Sequence, residues 1–435
     1  MKKLCGVLSF SIIVVLIFAP SVSAKTWNIN PGGTGDAPTI QAGIDSASGG
    51  DIVLLAPGTY IGPQNREIDF KGKAITVTSS GGATATTIDC QGFGRGFVFQ
   101  SGEGPSSVLS DVRIVNGAGV SFGGAVYCID SSPTIERNIF FDNHATFRGG
   151  AVYCDTSSAL IHENDFEQNN SAFGGALWCS GLSSLTVTDN EFKLNSASIS
   201  GGAIGCRGSS PTVDGNLFEE NSAANDGGAI QCDTNSGATL SNNTFRDNSA
   251  SGNGGGVAYD QSPLSIQFNV FQRNSAALGG GIYCTDILLA GEITNNTLDE
   301  GTADNGAGIY CTNNSRPPIS HNIITNSTNG EPVFTKNNSA PTISCCCFYS
   351  NAGGDALPPG SFDGGGNFFE DPEFCGIDGT GNYFLQSDSP CAPGGHFNDR
   401  TYQACGLIGA LPVDCGTSST EIKTWGAIKA IYQDQ

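Results

Sequence analysis

Five aromatic residues, Tyr127, Tyr153, Trp178, Tyr283 and Tyr310, occupy one repeating position of this chain, and Asp130, Asp155, Asp233 and Asp260 follow shortly after that position. Outward aromatic faces among small neighbours (Gly205, Gln231 and Ala258 interrupt the series) stack sugar rings or dock protein surfaces. A second column consists of thiols: Cys128, Cys154, Cys179, Cys206 and Cys232, then Cys284 and Cys311, with Tyr259 substituting once. An uninterrupted run of thiols has no unique pairing, so these residues read as small buried hydrophobes. Cleavage of a glycan needs paired carboxylates, or carboxylate-bound calcium beside a basic residue. Glu163, Asp189 and the pair Glu219-Glu220 supply acids, but Arg137, Arg148, Arg207, Arg246 and Arg273 are scattered and only 4 His occur. No catalytic residue and no metal site is assigned on this pattern, which favours binding over catalysis. No cofactor is expected; calcium at corner Asp and Asn clusters is the one ion considered, without a Gly-Gly-x-Gly-x-Asp repeat behind it.

These residues need a frame that repeats. Phe-x-x-Asn recurs every 25–27 residues, at Phe140, Phe166, Phe192, Phe218, Phe245 and Phe271, each copy followed by a Gly-Gly-aliphatic step. A fixed period of that length means one supersecondary unit stacked many times. Within the unit Gly123–Asn143, Gly-Gly-Ala-Val-Tyr-Cys alternates with the period of two of a strand, placing Val126 and Cys128 on one face and Ala125 and Tyr127 on the other. A turn at Ser131-Ser132-Pro133 precedes a second strand with Ile135 inward, and Asn138, Phe140 and Asn143 mark bend, core plug and bend. Stacked, the units align Val126 through Ile309 as one aliphatic column and Ile135 through Ile343 as another. Asn138, Asn164, Asn190, Asn216, Asn243, Asn269, Asn296 and Asn322 form an asparagine ladder, each amide bonding the rungs above and below. No long helical period and no Leu-x-x-Leu-x-Leu phrase appears. The chain therefore reads as all-β, a right-handed parallel β-helix, the hand following the general preference of parallel crossovers.

Both ends of such a solenoid must be covered. Thr39–Ser46 has the spacing of a short capping helix, and less regular rungs fill the rest of residues 25–120. Regular repeats occupy 121–351, and an irregular cap, 352–415, carries Cys375, Cys391, Cys405 and Cys415. Four cysteines in that span fit disulfides with three alternative pairings; zinc would need close Cys-x-x-Cys pairs. The Cys345-Cys346-Cys347 run has no account at this level. Residues 416–435 are amphipathic and set apart, consistent with a sorting segment. Residues 1–24 read as a secretory signal, with Lys2 and Lys3, an apolar run Leu4–Ala19 and the small residues Val22-Ser23-Ala24. Their removal takes the formal charge from −22 to −24. A chain that acidic without a basic patch excludes nucleic acid and anionic membrane as partners. No second apolar span follows, so the mature chain is expected as a monomer without membrane insertion, exported to the extracellular space or outer surface of a bacterium.

The Gly-Gly-Ala-Val/Ile and Phe-x-x-Asn alternation over residues 120–350 resembles the repeats of chlamydial-type polymorphic outer membrane proteins, within the pectin-lyase-like β-helix superfamily. Pro38-Thr-Ile-Gln-Ala-Gly-Ile44 through Pro57-Gly-Thr-Tyr60 is similar to the front cap of that superfamily. The resemblance implies a right-handed β-helix exposed at a bacterial surface and active in adhesion. Two departures accompany it: the residues after Asn351 have no room for an outer-membrane barrel, and the galacturonase phrases Asn-Thr-Asp, Gly-His-Gly and Arg-Ile-Lys are missing, Gly395-His396 alone not replacing them. The function expected is interaction or adhesion, with glycan or a surface protein held along Tyr127, Tyr153 and Trp178. The alternative is a polysaccharide lyase or glycoside hydrolase of the superfamily.

Overall fold

The computed structural model describes residues 24–263, 265–287, 291–376, 382–395 and 405–415. The secretory signal and the amphipathic tail expected from sequence lie outside these residues, apart from Ala24. Among the described residues the chain winds into parallel sheets of 14, 12, 11 and 6 strands, plus one two-stranded antiparallel pair. Each regular turn visits the sheets in a constant order. The first sheet holds strands such as Val126–Ile129 and Val152–Asp155, the second Thr134–Glu136 and Leu160–His162, the third Ile139–Phe141 and Asp165–Glu167. Strand pairing is in register from turn to turn: Val126 opposite Val152, Ile135 opposite Ile161, Phe140 opposite Phe166.

Burying like on like builds the core. Phe140, Phe166, Phe192, Phe218, Phe245 and Phe271 stack with ring centroids 4.6–4.9 Å apart. The Asn138–Asn322 ladder turns the corner between the second and third sheets. At Asn190, Oδ1 accepts the backbone and side-chain N–H groups of Asn164 at 2.9 and 3.0 Å, while Nδ2 donates to Asn216 Oδ1 at 3.0 Å and Ile161 O at 2.9 Å. A second ladder, Asn143 to Asn274, does the same at the next corner. The amides of both ladders are thus paired from rung to rung, which is what makes a polar column tolerable in an apolar cylinder. The thiol column is buried and unbridged. Contact with Cys128, then burial, holds the Cys154 thiol well above the ordinary thiol range, so this sulfur stays protonated and unreactive.

The front helix spans Ile40–Ser46, with Thr39 as its N-cap through Thr39 Oγ1 and Ala42 N. Its C-terminal carbonyls are met by one lysine: Lys73 Nζ donates to Ile44 O, Asp45 O and Ala47 O at 2.7, 2.9 and 2.8 Å. A cation there satisfies orphan carbonyls and complements the helix dipole. Lys73→Met should cost about 1–2 kcal/mol of stability, read as earlier urea unfolding and faster amide exchange over residues 40–46.

The rear cap differs from expectation in its pairing. The bridges are Cys345–Cys405 and Cys375–Cys415, and Cys391 is an unbridged buried thiol. The reason is that residues 382–395 and 405–415 strap back along the outside of the third sheet. There Val270, Ile323 and Cys347 face outward and pack with Tyr383, Leu385, Ile408 and Leu411. Tyr383 donates to the buried Asp299 at 2.7 Å, Asn295 Nδ2 to Leu407 O at 2.8 Å, and Gly409 N to His321 O at 2.8 Å. The triple-cysteine run then has three separate jobs. Cys345 ties down the strap, and Cys347 lies beneath it. Cys346 stands in the asparagine ladder's next position, its backbone N–H donating to Asn367 Oδ1 at 3.0 Å.

Candidate functional site

The outer face of the first sheet carries three parallel columns. The middle one is the aromatic series, aligned Tyr127, Tyr153, Trp178, Gly205, Gln231, Ala258, Tyr283, Tyr310. Beside it, at the strand ends, run Asp155, Ser180, then Arg207, Asp233, Asp260 and Thr285. The third comes from the chain just before each Gly-Gly step, including Phe122, Arg148, Phe173, Asp226 and Asn253.

The expected open aromatic strip is not open. Tyr153, Trp178 and Tyr310 are buried, and Tyr127 and Tyr283 are half-buried. Over Tyr153 and Trp178 the cause is the fourth sheet, with strands Val120–Phe122, Ala145–Arg148, Asn170–Phe173 and Ser196–Ser200, which brings the chain back over this face; Tyr310 is instead stacked between Tyr283 and Phe334 at 5.5 and 5.4 Å. The reversal depends on a left-handed glycine: Gly174, which follows Phe173, has φ 62°, and a Cβ there would lie 3.0 Å from Leu177 C. Phe122 consequently packs on Tyr153 at 4.8 Å and Phe173 on Trp178 at 5.8 Å. Arg148 lies 4.6 Å over the Trp178 ring and Arg95 4.7 Å over Tyr127. The exposed aromatic of this region is instead Phe147, 40% accessible and wedged edge-on between Phe122 and Phe173. Sequence reasoning passed over it, although Phe122, Phe147 and Phe173 repeat at nearly the same period just before Gly-Gly.

Between Trp178 and Tyr283 the covering changes character. Three rungs carry Gly205, Gln231 and Ala258 in the middle, and Arg207, Asp233 and Asp260 at the strand ends. At about 4.8 Å per rung this interruption separates the two aromatic rungs by roughly 19 Å. Gly205 is required there, because the Trp178 indole lies where its side chain would be, Cε3 falling 2.5 Å from a Cβ. On this face the buried atoms Trp178 Nε1, Arg148 Nε and Gln231 Oε1 have no hydrogen-bond partner, and Asp233 Oδ1 has only the ion-pair contact of Arg207 Nε at 3.5 Å. Buried groups of this kind are normally paired, and leaving them unpaired costs stability.

The acids here are perturbed. Burial raises the Asp233 carboxyl above the ordinary Asp range, opposed by Arg207, whose Nε is 3.5 Å away, and reinforced by Asp260. Burial also raises Asp260, and its charged neighbours, Asp286 and Asp226, both push the same way. Tyr283 is raised to about 12, by burial and by the charges of Tyr310, Asp226 and Asp260, against a hydrogen bond with Thr285. Two half-buried carboxylates stand on adjacent strands, both raised by burial, one beside a guanidinium and one beside acids; unlike surroundings of this kind are what acid and base roles draw on.

Other acids named from sequence are engaged elsewhere. His162 on the second sheet sits 3.5 Å from both Glu163 and Asp189, and Glu219 on the third is held by Lys193 at 2.6 Å and by Arg246. An open depression of about 540 Å³ is lined by Asp89, Asn116, Asp142 and His144 among others. Two of its polar groups are engaged with neighbours: Asn116 donates to Asp89 at 2.9 Å, and His144 is paired at 2.9 Å with Asn170 on the next rung. Among the described residues no three His, Cys, Asp or Glu side chains converge on a metal-sized point, and no helix is long and apolar enough to cross a membrane.

The family described as "Right handed beta helix region" matches residues 44–192 and 146–287. No curated protein matches the chain. Among solved structures the chain is similar to the catalytic unit of thermostable GH87 alpha-1,3-glucanase from Streptomyces thermodiastaticus strain HF3-3, with TM-score 0.39, 14% identity, and 78% of this chain and 68% of that one covered. It is also similar to pectate lyase Pel9A, with TM-score 0.37, 14% identity, and 91% and 98% covered. A third is the PL6 family alginate lyase AlyGC, with TM-score 0.42 and 14% identity; there 91% of this chain matches 59% of the lyase.

Proposed function

The chain belongs to the right-handed β-helix family, and on that premise we propose that it binds polysaccharide along the first sheet and hydrolyses a glycosidic bond where the aromatic column is interrupted. The observation that carries this reading is the Asp233–Asp260 pair. The two acids are register partners on neighbouring strands, so their backbones stand about 4.8 Å apart. Side chains leaving parallel strands keep roughly that spacing, near the ~5–5.5 Å of retaining glycosidases. Asp260, raised by burial and by acidic neighbours, is the general acid that protonates the leaving oxygen. Asp233, steadied by Arg207, is the carboxylate that attacks or supports the sugar carbon. The exposed Phe147 supplies a stacking platform a few rungs away. The leader-like residues 1–24 support the further proposal that this work is done outside the cytoplasm.

A second reading, glycan or protein binding without cleavage, rests on Phe147, which stands at the surface with the half-buried Arg148 against its ring whether or not the acids react. The separating experiment is a screen over polysaccharides for new reducing ends and for unsaturated products, with and without calcium. Hydrolysis gives reducing ends with no ultraviolet-absorbing product. An unsaturated product would mean elimination instead, and neither signal from any polysaccharide would leave only the binding reading.

A further inference from the structure

Resting on that reading of the site, we infer that the glycan it takes carries amino groups, and that a uronic-acid polymer is rejected. Hydrogen-bond polarity makes the first argument. Gln231 Oε1 and Asp233 Oδ1 are both buried acceptors; Gln231 Oε1 has no donor, and Asp233 Oδ1 has only the ion-pair contact of Arg207 Nε at 3.5 Å. Gln231 is 9% exposed and occupies an outward position of its strand, between inward Ile230 and Cys232. Rotating its side chain toward an arriving donor exchanges an orphan acceptor for a paired one. An ammonium brings three donors and no acceptor, whereas a carboxylate brings acceptors alone.

Charge makes the second argument. The charges of Asp286 and Asp226 push Asp260 up, that of Asp260 pushes Asp233 up, and the basic groups acting on Asp233 are Arg207 and Arg148. Asp226 Oδ1 takes 2.7 and 3.2 Å hydrogen bonds from Asn253, which orients it without neutralising it. A sugar ammonium enters this field favourably; a uronate meets like charge. The acids do not converge tightly enough to hold a metal ion in place of the ammonium.

The test uses the full chain and defined oligomers of glucosamine, N-acetylglucosamine and galacturonate, with binding measured calorimetrically near neutral pH. Glucosamine oligomers are expected to bind about tenfold more tightly than galacturonate oligomers, since one meets complementary and the other like charge. Asp226→Asn should weaken glucosamine binding about fivefold, the factor a partly exposed ion pair carries, and added salt should weaken it further. Circular dichroism checks that this variant keeps its β-structure, and Gln231→Glu, which adds an acceptor charge, should strengthen binding. Equal or tighter binding of galacturonate or N-acetylglucosamine would overturn the amino-sugar inference and leave the glycan site standing. Binding of no oligomer in the set, together with a blank polysaccharide screen, would overturn both.

Discussion

Asp260→Asn is expected to lower the hydrolytic rate by about 10²–10⁴-fold, the span general acid catalysis supplies. Asn keeps the volume and the hydrogen-bonding shape of the side chain but has no proton to give. The loss should fall on kcat with KM nearly unchanged, because the variant still presents the same walls to the ground-state sugar. Asp233→Asn should be comparably damaging for the complementary reason that it removes the anion Arg207 steadies. An activated substrate separates the two. A good leaving group needs no protonation and should rescue Asp260→Asn while leaving Asp233→Asn inactive. Rescue of both, or of neither, would remove the role assignment.

The same acids fix the sign of two pH effects. Activity requires Asp260 protonated and Asp233 ionised, so the rate falls on the acid side as Asp233 gains its proton and on the alkaline side as Asp260 loses its own. Both carboxyls lie above the ordinary Asp value of 3.8, so the active window is displaced upward from that value. For stability the sign is reversed from that of a salt-bridged acid. A folded pKa above the unfolded one means the native state holds the extra proton, and stability declines as pH rises from 3.8 through the folded value. Asp260→Asn should therefore gain stability at neutral pH and gain nothing below pH 3.8. Losing activity while gaining stability is the signature of a group held in strain for its chemistry.

What the sequence made legible follows from how local each contact is. Side chains that stack on their own copies one period away, such as Phe140 on Phe166 or Asn190 on Asn216, announce themselves as columns. The solenoid, its register and the front helix were therefore readable from spacing alone. Contacts that break the period were not. The strap meets the barrel through Tyr383 and Asp299, 84 residues apart, and through Ala410 and Thr297, 113 apart. No spacing rule links Cys345 to Cys405. Cys346 could have been placed, since it stands 24 residues after Asn322, close to one period. The site was half legible. Asp233, Asp260 and the interrupted aromatic column were visible, but whether Tyr153 and Trp178 faced water depended on a chain reversal that buries them under Phe122, Phe173 and Arg148. Alternation assigns a side chain to a face; it does not say what lies on top of that face.

Phe218→Ala should be the most damaging single change to the fold, at ~3–5 kcal/mol. Phe218 lies in the middle of the stack, 4.9 Å from Phe192 and 4.8 Å from Phe245, with interplanar angles of 5° and 6°. Truncation forfeits two ring pairs, each worth about 0.5–1.5 kcal/mol, beyond the apolar area. The cavity it opens cannot collapse, because the rungs above and below are fixed at sheet spacing by both asparagine ladders. Asn216 and Asn221 flank Phe218 on its own rung and are bonded to Asn243 and Asn248 on the next. A solenoid couples only neighbouring rungs, so a weakened rung should also divide the molecule's cooperativity. Urea unfolding read at Trp27, in the front strand, and at Trp178 should coincide in the native protein and separate in Phe218→Ala. Phe218→Leu, which refills most of the space, should restore coincidence and recover most of the loss. A loss below about 1 kcal/mol, small beside the usual Phe→Ala range, would mean that the rungs relax into the gap. The rigid lattice that positions Asp233 opposite Asp260 would then be softer than the ladders imply.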